Sequence, residues 1–348
     1  MAREIAEQPE AVRRTWRSLA PQRPDLARLL DRRRVLFAAR GTSDNAAVYG
    51  RYLLETHAGI AGGLVSPSVA THYRSRLDLT DSVVVSVSQS GATDEIVATQ
   101  EWARDCGATT VAVTNVDASP LATGADHALV TQAGPELAVP ATKSYLGQLV
   151  AMVALGTAAA RDPTALDDGM AEVPEVIESL LADRAGITEA VAALRSADYI
   201  VVSGRGLLMG TALETALKLE ETCLRPVRGY SYADLRHGPI SVVTTGVAAV
   251  LVAASDGPMR APMTELAQDL RQRGATVVGI GGDDGFAGSC DVQVRGPRLP
   301  ETLAALGAIV PAQLVVEALA RDLGLDPDAP RGLAKVTRTD PTAEGDHS

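Results

Sequence analysis

The sequence predicts an α/β protein made of two copies of one unit, each a parallel sheet with helices on both faces in a three-layer α/β/α stack. Two observations predict this. Short runs rich in β-branched residues alternate with helical stretches, an order that gives parallel strands joined by crossover helices. The second half then repeats the first. Val35-Leu36-Phe37-Ala38-Ala39 runs into Arg40-Gly41, as Tyr199-Ile200-Val201-Val202-Ser203-Gly204 runs into Arg205-Gly206. Arg104-Asp105-Cys106-Gly107-Ala108-Thr109-Thr110-Val111 is echoed by Arg271-Gln272-Arg273-Gly274-Ala275-Thr276-Val277-Val278. The strands at 83–87 and 126–130 have counterparts at 248–253 and 291–294.

The elements follow in order. Residues 1–30 read as a leading helix pair. The first unit occupies 31–160 and ends in the apolar stretch from Leu146 to Ala160. That stretch is interrupted by Gln148 and Gly156 and is too short to span a bilayer. It is expected as a buried helix in a core or at a subunit interface. Residues 161–194, rich in Glu, Asp and Pro, read as a helical linker. The second unit takes 195–330. A loop and tail complete the chain over 331–348, polar from Asp340 and expected to fray.

Composition narrows the function. The 348 residues are 46% hydrophobic and 22% charged, which suits a globular protein with a large core. Aromatics are only 3%, so alanine, valine and leucine must build that core. A net charge of −11 argues against a nucleic-acid partner, which needs a basic face. It leaves room for a small phosphorylated ligand held by a local pocket. Cys106, Cys223 and Cys290 are widely spaced and form no C-x-x-C, and the five histidines form no H-x-x-x-H pair. The N-terminus, Met-Ala-Arg-Glu-Ile-Ala-Glu-Gln, carries no apolar signal region. The expectation is a cytoplasmic protein with no membrane partner, no metal and no other cofactor.

The most informative segment is Ser88-Gln89-Ser90-Gly91-Ala92-Thr93, between the strand-like run Ser82–Val87 and the helix-like stretch Asp94–Cys106. Hydroxyls and a glycine at a strand-to-helix turn suit a phosphate. First-turn N–H groups and the helix dipole face it, the glycine permits close approach, and hydroxyls add donors without charge. For one such motif alone, an ordinary N-cap is about as good a reading. The second copy has Ala253-Ala254-Ser255-Asp256-Gly257-Pro258 instead, where Asp256 repels phosphate. The phosphate is therefore expected in the first half only.

The second half carries candidate chemistry. In Glu214-Thr215-Ala216-Leu217-Lys218-Leu219-Glu220-Glu221, Lys218 and Glu221 share a helix face. Taken alone, the pair is no more than a surface ion pair worth a few tenths of a kcal/mol. Leu235-Arg236-His237-Gly238-Pro239 holds a histidine in a rigid loop, and Pro330-Arg331-Gly332-Leu333-Ala334-Lys335 holds a lysine near the C-terminus.

Together these segments resemble the sugar isomerase (SIS) domain superfamily. They are most similar to the isomerase half of glutamine–fructose-6-phosphate aminotransferase and to stand-alone amino-sugar phosphate deaminases and deglycases. The resemblance covers about residues 30–340. It rests on Arg40-Gly41-Thr42-Ser43, Ser88–Thr93, Val139-Pro140-Ala141-Thr142-Lys143, Glu214 through Lys218 to Glu221, His237-Gly238-Pro239 and Pro330–Lys335. It implies two tandem SIS domains at 31–160 and 195–330. It also implies roles. Ser43, Ser88, Gln89, Ser90 and Thr93 would bind the sugar phosphate, with Thr42, Val139, Ala141 and Ala334 as further substrate contacts. Glu221 would move a proton between C1 and C2, and Lys218 would steady the hydroxyls. His237 would open the ring from a neighbouring subunit, which implies a homodimer. Lys335 would contact or form an imine with the open-chain carbonyl.

Three departures from the pattern stand out. There is no cysteine near position 2 and no glutaminase half, so the expectation is a chain that does not release ammonia from glutamine. Ala141 stands where the synthase has a serine, and Arg228, two residues before Tyr230, stands where the family carries an acid. The expected activity is conversion of glucosamine 6-phosphate to fructose 6-phosphate and ammonia by enolisation. Dehydration of an N-acetylated sugar phosphate and deglycation of a sugar phosphate–amino acid adduct are the alternatives. A non-catalytic sugar-phosphate sensor is a third reading, but it has no need of the base.

Overall fold

A computed structural model describes residues 1–31 and 33–335; the polar tail singled out from Asp340 onwards lies outside the described residues. The first sheet contains β1 (Arg34–Ala38), β2 (Gly62–Leu64), β3 (Ser82–Val87), β4 (Thr109–Thr114) and β5 (His127–Val130). Its order is β2-β1-β3-β4-β5, all parallel, with Phe37 opposite Val85 and Val85 opposite Val111. The second sheet contains β6 (Tyr199–Gly204), β7 (Val227–Ser231), β8 (Val247–Ala253), β9 (Thr276–Gly281) and β10 (Val292–Val294). Read from its other edge it has the same order, β7-β6-β8-β9-β10, again all parallel. The duplication read from the sequence is thus a duplication of topology.

Every residue of β3 and of β8 is buried, as expected for central strands covered on both faces. After the second strand of each sheet the order reverses, so that β1 and β3 are neighbours in one sheet and β6 and β8 in the other. Ligands collect beyond the carboxyl ends of strands at such switch points.

The helices between the sheets make one continuous core. A single apolar cluster runs from Phe37 and Val85 through Leu149 to Val202, Val250 and Ile309. The Lys143–Ala159 helix lies inside it, packed on the Thr42–Leu53 helix and on the N-terminal helices Gln8–Leu19 and Arg23–Leu30. Residues 143–157 of this helix are all buried within the single chain. Of the two places expected for the apolar stretch, a core or a subunit interface, the structure shows the core: it is covered by its own chain. The Glu301–Asp322 helix is equally apolar. It is long enough to cross a membrane by length and composition, but 89% of its most apolar window is buried against the rest of the protein. The linker resolves into helices Thr164–Ala182 and Ile187–Ser196, both packed on Glu301–Asp322.

The equivalent helices after β1 and β6 meet directly. On the second, Met209–Cys223, Gly210 lies so close to the first that a Cβ there would stand 2.5 Å from the Asn45 carbonyl oxygen. A glycine is therefore required at this crossing by close approach rather than by backbone angle. That contact brings the two halves of the candidate site together.

Candidate functional site

The candidate phosphate cradle is built by two strand-to-helix turns at the switch point of the first sheet. One follows β1 and opens the Thr42–Leu53 helix; the other follows β3 and opens Asp94–Asp105. Gly91 makes the second turn possible. Its φ is +62°, and a Cβ would stand 2.1 Å from Ser119 Oγ, so a side chain is excluded on both counts. Ser88 Oγ and Thr93 Oγ1 lie 3.1 Å apart across the turn, and Ser90 Oγ accepts from the Ala92 N–H at 3.3 Å. Ser43 is fixed from behind, where the buried Gln148 amide donates to its Oγ at 2.9 Å.

Facing this cradle stand Lys218 and Glu221, from the Met209–Cys223 helix of the second half. Lys218 is buried and pairs with both Glu221 and Glu214, the latter at 3.5 Å. Glu214 is fully buried. It accepts from Thr42 Oγ1 at 3.0 Å and Asn45 Nδ2 at 2.8 Å, so it ties the Met209–Cys223 helix to the Thr42–Leu53 helix. Burial pushes the Glu214 carboxyl up, with Lys218 pulling against it. Burial alone would lower the Lys218 ammonium; the flanking carboxylates of Glu214 and Glu221 reverse this and leave it above its ordinary value. The two carboxylates thus favour the charged form of Lys218.

The C-terminal loop closes the third side. Lys335 Nζ donates to the Ala138 carbonyl at 2.6 Å and to Glu136 Oε2 at 3.1 Å. Glu136 also accepts from Ser144 Oγ at 2.5 Å and from the N–H groups of Thr142 and Ser144, at the start of the Lys143–Ala159 helix, at 2.9 and 3.1 Å. Burial would raise its pKa, but Lys335, Ser144 and these backbone donors hold it below the ordinary carboxylate value. A C-terminal lysine reaches the pocket because a buried carboxylate receives it.

One cavity of about 450 Å³ unites these parts. Ser43, Ser88, Gln89, Ser90 and Thr93 line it, as do Thr42, Val139, Ala141 and Ala334, and Lys218, Glu221 and Lys335. His237 is the exception. It caps the short Tyr232–Arg236 helix, is exposed and does not line the cavity of its own chain. Arg228 lies on the edge strand β7, exposed and stacked on Tyr230 at 5.4 Å, also away from the cavity. In the second half, burial and the nearby Asp256 on the loop after β8 both raise the Glu301 carboxyl.

Sequence reasoning missed Glu136 and Gln148 and gave Glu214 no role. Gln148 did leave a signal, since it interrupts an apolar helix and a buried amide requires partners. Glu136 left none, because its partner stands 199 positions away.

Comparison with known proteins agrees with this architecture. The SIS domain family model matches residues 28–158 and 193–320, and the chain belongs to that family. The glutamine–fructose-6-phosphate aminotransferase (isomerizing) of Symbiobacterium thermophilum is 36% identical over 357 aligned positions. These take in 96% of this chain but 58% of that protein, so the chain spans little more than half of its relative. The crystal structure of a candidate phosphosugar isomerase from Silicibacter pomeroyi DSS-3 superposes with a TM-score of 0.86 at 35% identity, covering 94% of this chain and 99% of that one. The glucosamine-6-phosphate deaminase of Thermotoga maritima superposes with a TM-score of 0.72 at 25% identity, covering 93% and 99%.

Proposed function

We propose that this SIS-domain protein converts an amino-sugar 6-phosphate, glucosamine 6-phosphate in the first instance, to fructose 6-phosphate and ammonia. One observation carries the reading. A hydroxyl-rich cradle at two helix N-termini and a Lys218–Glu221 pair line the same 450 Å³ cavity, which suits a six-carbon sugar phosphate with its reacting end at the base.

The chemistry follows from the residues. The phosphate sits on Ser43, Ser88, Ser90 and Thr93, with Gln89 alongside. Once the ring is open, Glu221 removes the C2 proton, as a positioned carboxylate can next to a carbonyl. Lys218, held charged between two carboxylates, stabilises the oxyanion developing at O1. Return of the proton to C1 leaves the 2-imine of the ketose. Water adds to that imine, ammonia departs and fructose 6-phosphate remains. Lys335, brought in by the C-terminal loop, contacts the open-chain carbonyl. Ring opening is assigned to His237 of a second copy of this chain, since a chain's own His237 stands outside its cavity.

A second reading is favoured by Ala141, whose small side chain lines the cavity beside Val139. A methyl group there leaves space for an N-substituent, as in dehydration of an N-acetylated sugar phosphate or deglycation of an amino acid adduct. Incubation with glucosamine 6-phosphate and with its N-acetyl form, without glutamine, separates the cases. Free ammonia with fructose 6-phosphate supports deamination. Loss of one water from the N-acetyl substrate, with no ammonia, replaces it.

A further inference from the structure

Charge around the phosphate cradle is incompletely explained by the hydroxyls. Arg40, Lys218 and Lys335 are the three cations lining the cavity. Lys218 pairs with Glu214 and Glu221, and Lys335 with Glu136 and the Ala138 carbonyl, which leaves each ammonium one N–H for the reacting end of the sugar. Arg40 differs from both. It immediately precedes the first turn of the cradle, and it reaches across to Glu95 in the first turn of the helix that follows Thr93. Arg40 Nε donates to Glu95 Oε2 at 3.0 Å and Nη2 to Oε1 at 2.8 Å, a two-pronged bridge. The Glu95 side chain is 6% exposed and the Arg40 side chain 46%. The anchor is thus buried, while the Arg40 side chain is half-exposed and Arg40 lines the cavity. Of its five N–H donors, Glu95 takes two.

We infer that Arg40 is a further phosphate-recognising residue, aimed by Glu95, and that it makes the site selective for a dianionic phosphomonoester over a singly charged ester. Hydroxyls and helix N-termini receive either anion. A fixed guanidinium responds to the second negative charge, which a phosphomonoester carries above its second pKa of about 6. The same bridge joins the two turns that form the cradle, so Arg40 also holds its width. This inference rests on the placement of the phosphate proposed above.

Calorimetry at pH 7.5 with glucose 6-phosphate and glucose 6-sulfate tests it. The native protein is expected to bind the phosphate more tightly than the sulfate. Arg40→Gln should weaken phosphate binding by about tenfold or more, with a smaller loss for sulfate, so that the preference shrinks. The double variant Arg40→Gln/Glu95→Gln removes both charges and should remain about as weak. Recovery of native phosphate affinity in the double variant would reduce Arg40 to a neutraliser of Glu95 and overturn the inference. Equal losses for both ligands would overturn it too, leaving Arg40 a brace for the turns; a thermal melt of each variant shows that the fold persists. If the native protein binds neither ligand, the phosphate placement itself falls, an outcome distinct from native binding that Arg40→Gln leaves unchanged.

Discussion

Replacing Glu136 by glutamine isolates what a buried carboxylate does for the pocket. The native side chain accepts from two backbone N–H groups on Oε1 and from Ser144 Oγ and Lys335 Nζ on Oε2. A glutamine has one oxygen and one NH2, so in either orientation one pair of donors faces another donor. It also leaves Lys335 with only the Ala138 carbonyl. Breaking a buried ion pair costs about 3–5 kcal/mol. The lysine side chain is 27% exposed, so water recovers part of this, and about 2–4 kcal/mol of stability is the expected loss at pH 7. At roughly 2 °C per kcal/mol for a chain of this size, the melting midpoint should fall by roughly 4–8 °C. The pH dependence has a definite sign. The folded-state pKa of Glu136 lies below the reference value of 4.5. Its contribution is therefore complete above that value and lost as pH falls through the lower, folded-state value. The gap between native protein and variant should be full at pH 7 and close below pH 4.5. Differential scanning calorimetry across pH 3.5–7.5 reads it. A variant melting within 1 °C of the native protein at pH 7, or a gap that persists unchanged to pH 3.5, would refute the role given to Glu136.

The remaining predictions concern the site itself. Ser88→Ala combined with Ser90→Ala should weaken sugar-phosphate binding by about 2–5 kcal/mol in calorimetry and hardly touch unphosphorylated sugars. Glu221→Gln should lower kcat by about 10²–10⁴-fold in an ammonia-release assay with KM little changed; equal turnover would return Lys218 and Glu221 to a plain ion pair. Mixing an inactive His237→Ala chain with an inactive Glu221→Gln chain should restore part of the activity, since some mixed dimers rebuild one intact site. No recovery in verified mixed dimers would deny His237 its role across an interface.

What the sequence showed and what it hid divide along physical lines. Strands β3 and β8 were legible because complete burial writes a continuous β-branched run. The cradle was legible because Ser88–Thr93 are consecutive, and the Lys218–Glu221 pair because helical spacing is local. The apolar stretch from Leu146 was legible as buried but not as to what buries it; its covering helices come from residues 8–30 and 42–53. Arg40–Glu95 and Glu136–Lys335 were hidden because each pairs a charge with one far along the chain, and no periodicity records that.

The duplication explains why the two halves carry different parts of one site. In a unit used twice, each strand-to-helix turn at a switch point presents helix N–H groups, and two such cradles would compete for one phosphate. In the second half Asp256 follows β8 and stands near Glu301, whose carboxyl it helps to raise, in place of the hydroxyls of Ser88–Thr93. The second half can then contribute through the face of a helix instead of its end. Met209–Cys223 is the counterpart of Thr42–Leu53, and Gly210 allows the two to touch at Asn45. At that contact Glu214 accepts from Thr42 and Asn45 and also pairs with Lys218. A shift of one half against the other would therefore break hydrogen bonds to a fully buried carboxylate, a loss that no water can compensate. This carboxylate thus ties the proposed phosphate cradle to the helix that carries the proposed base, across the contact of the two domains.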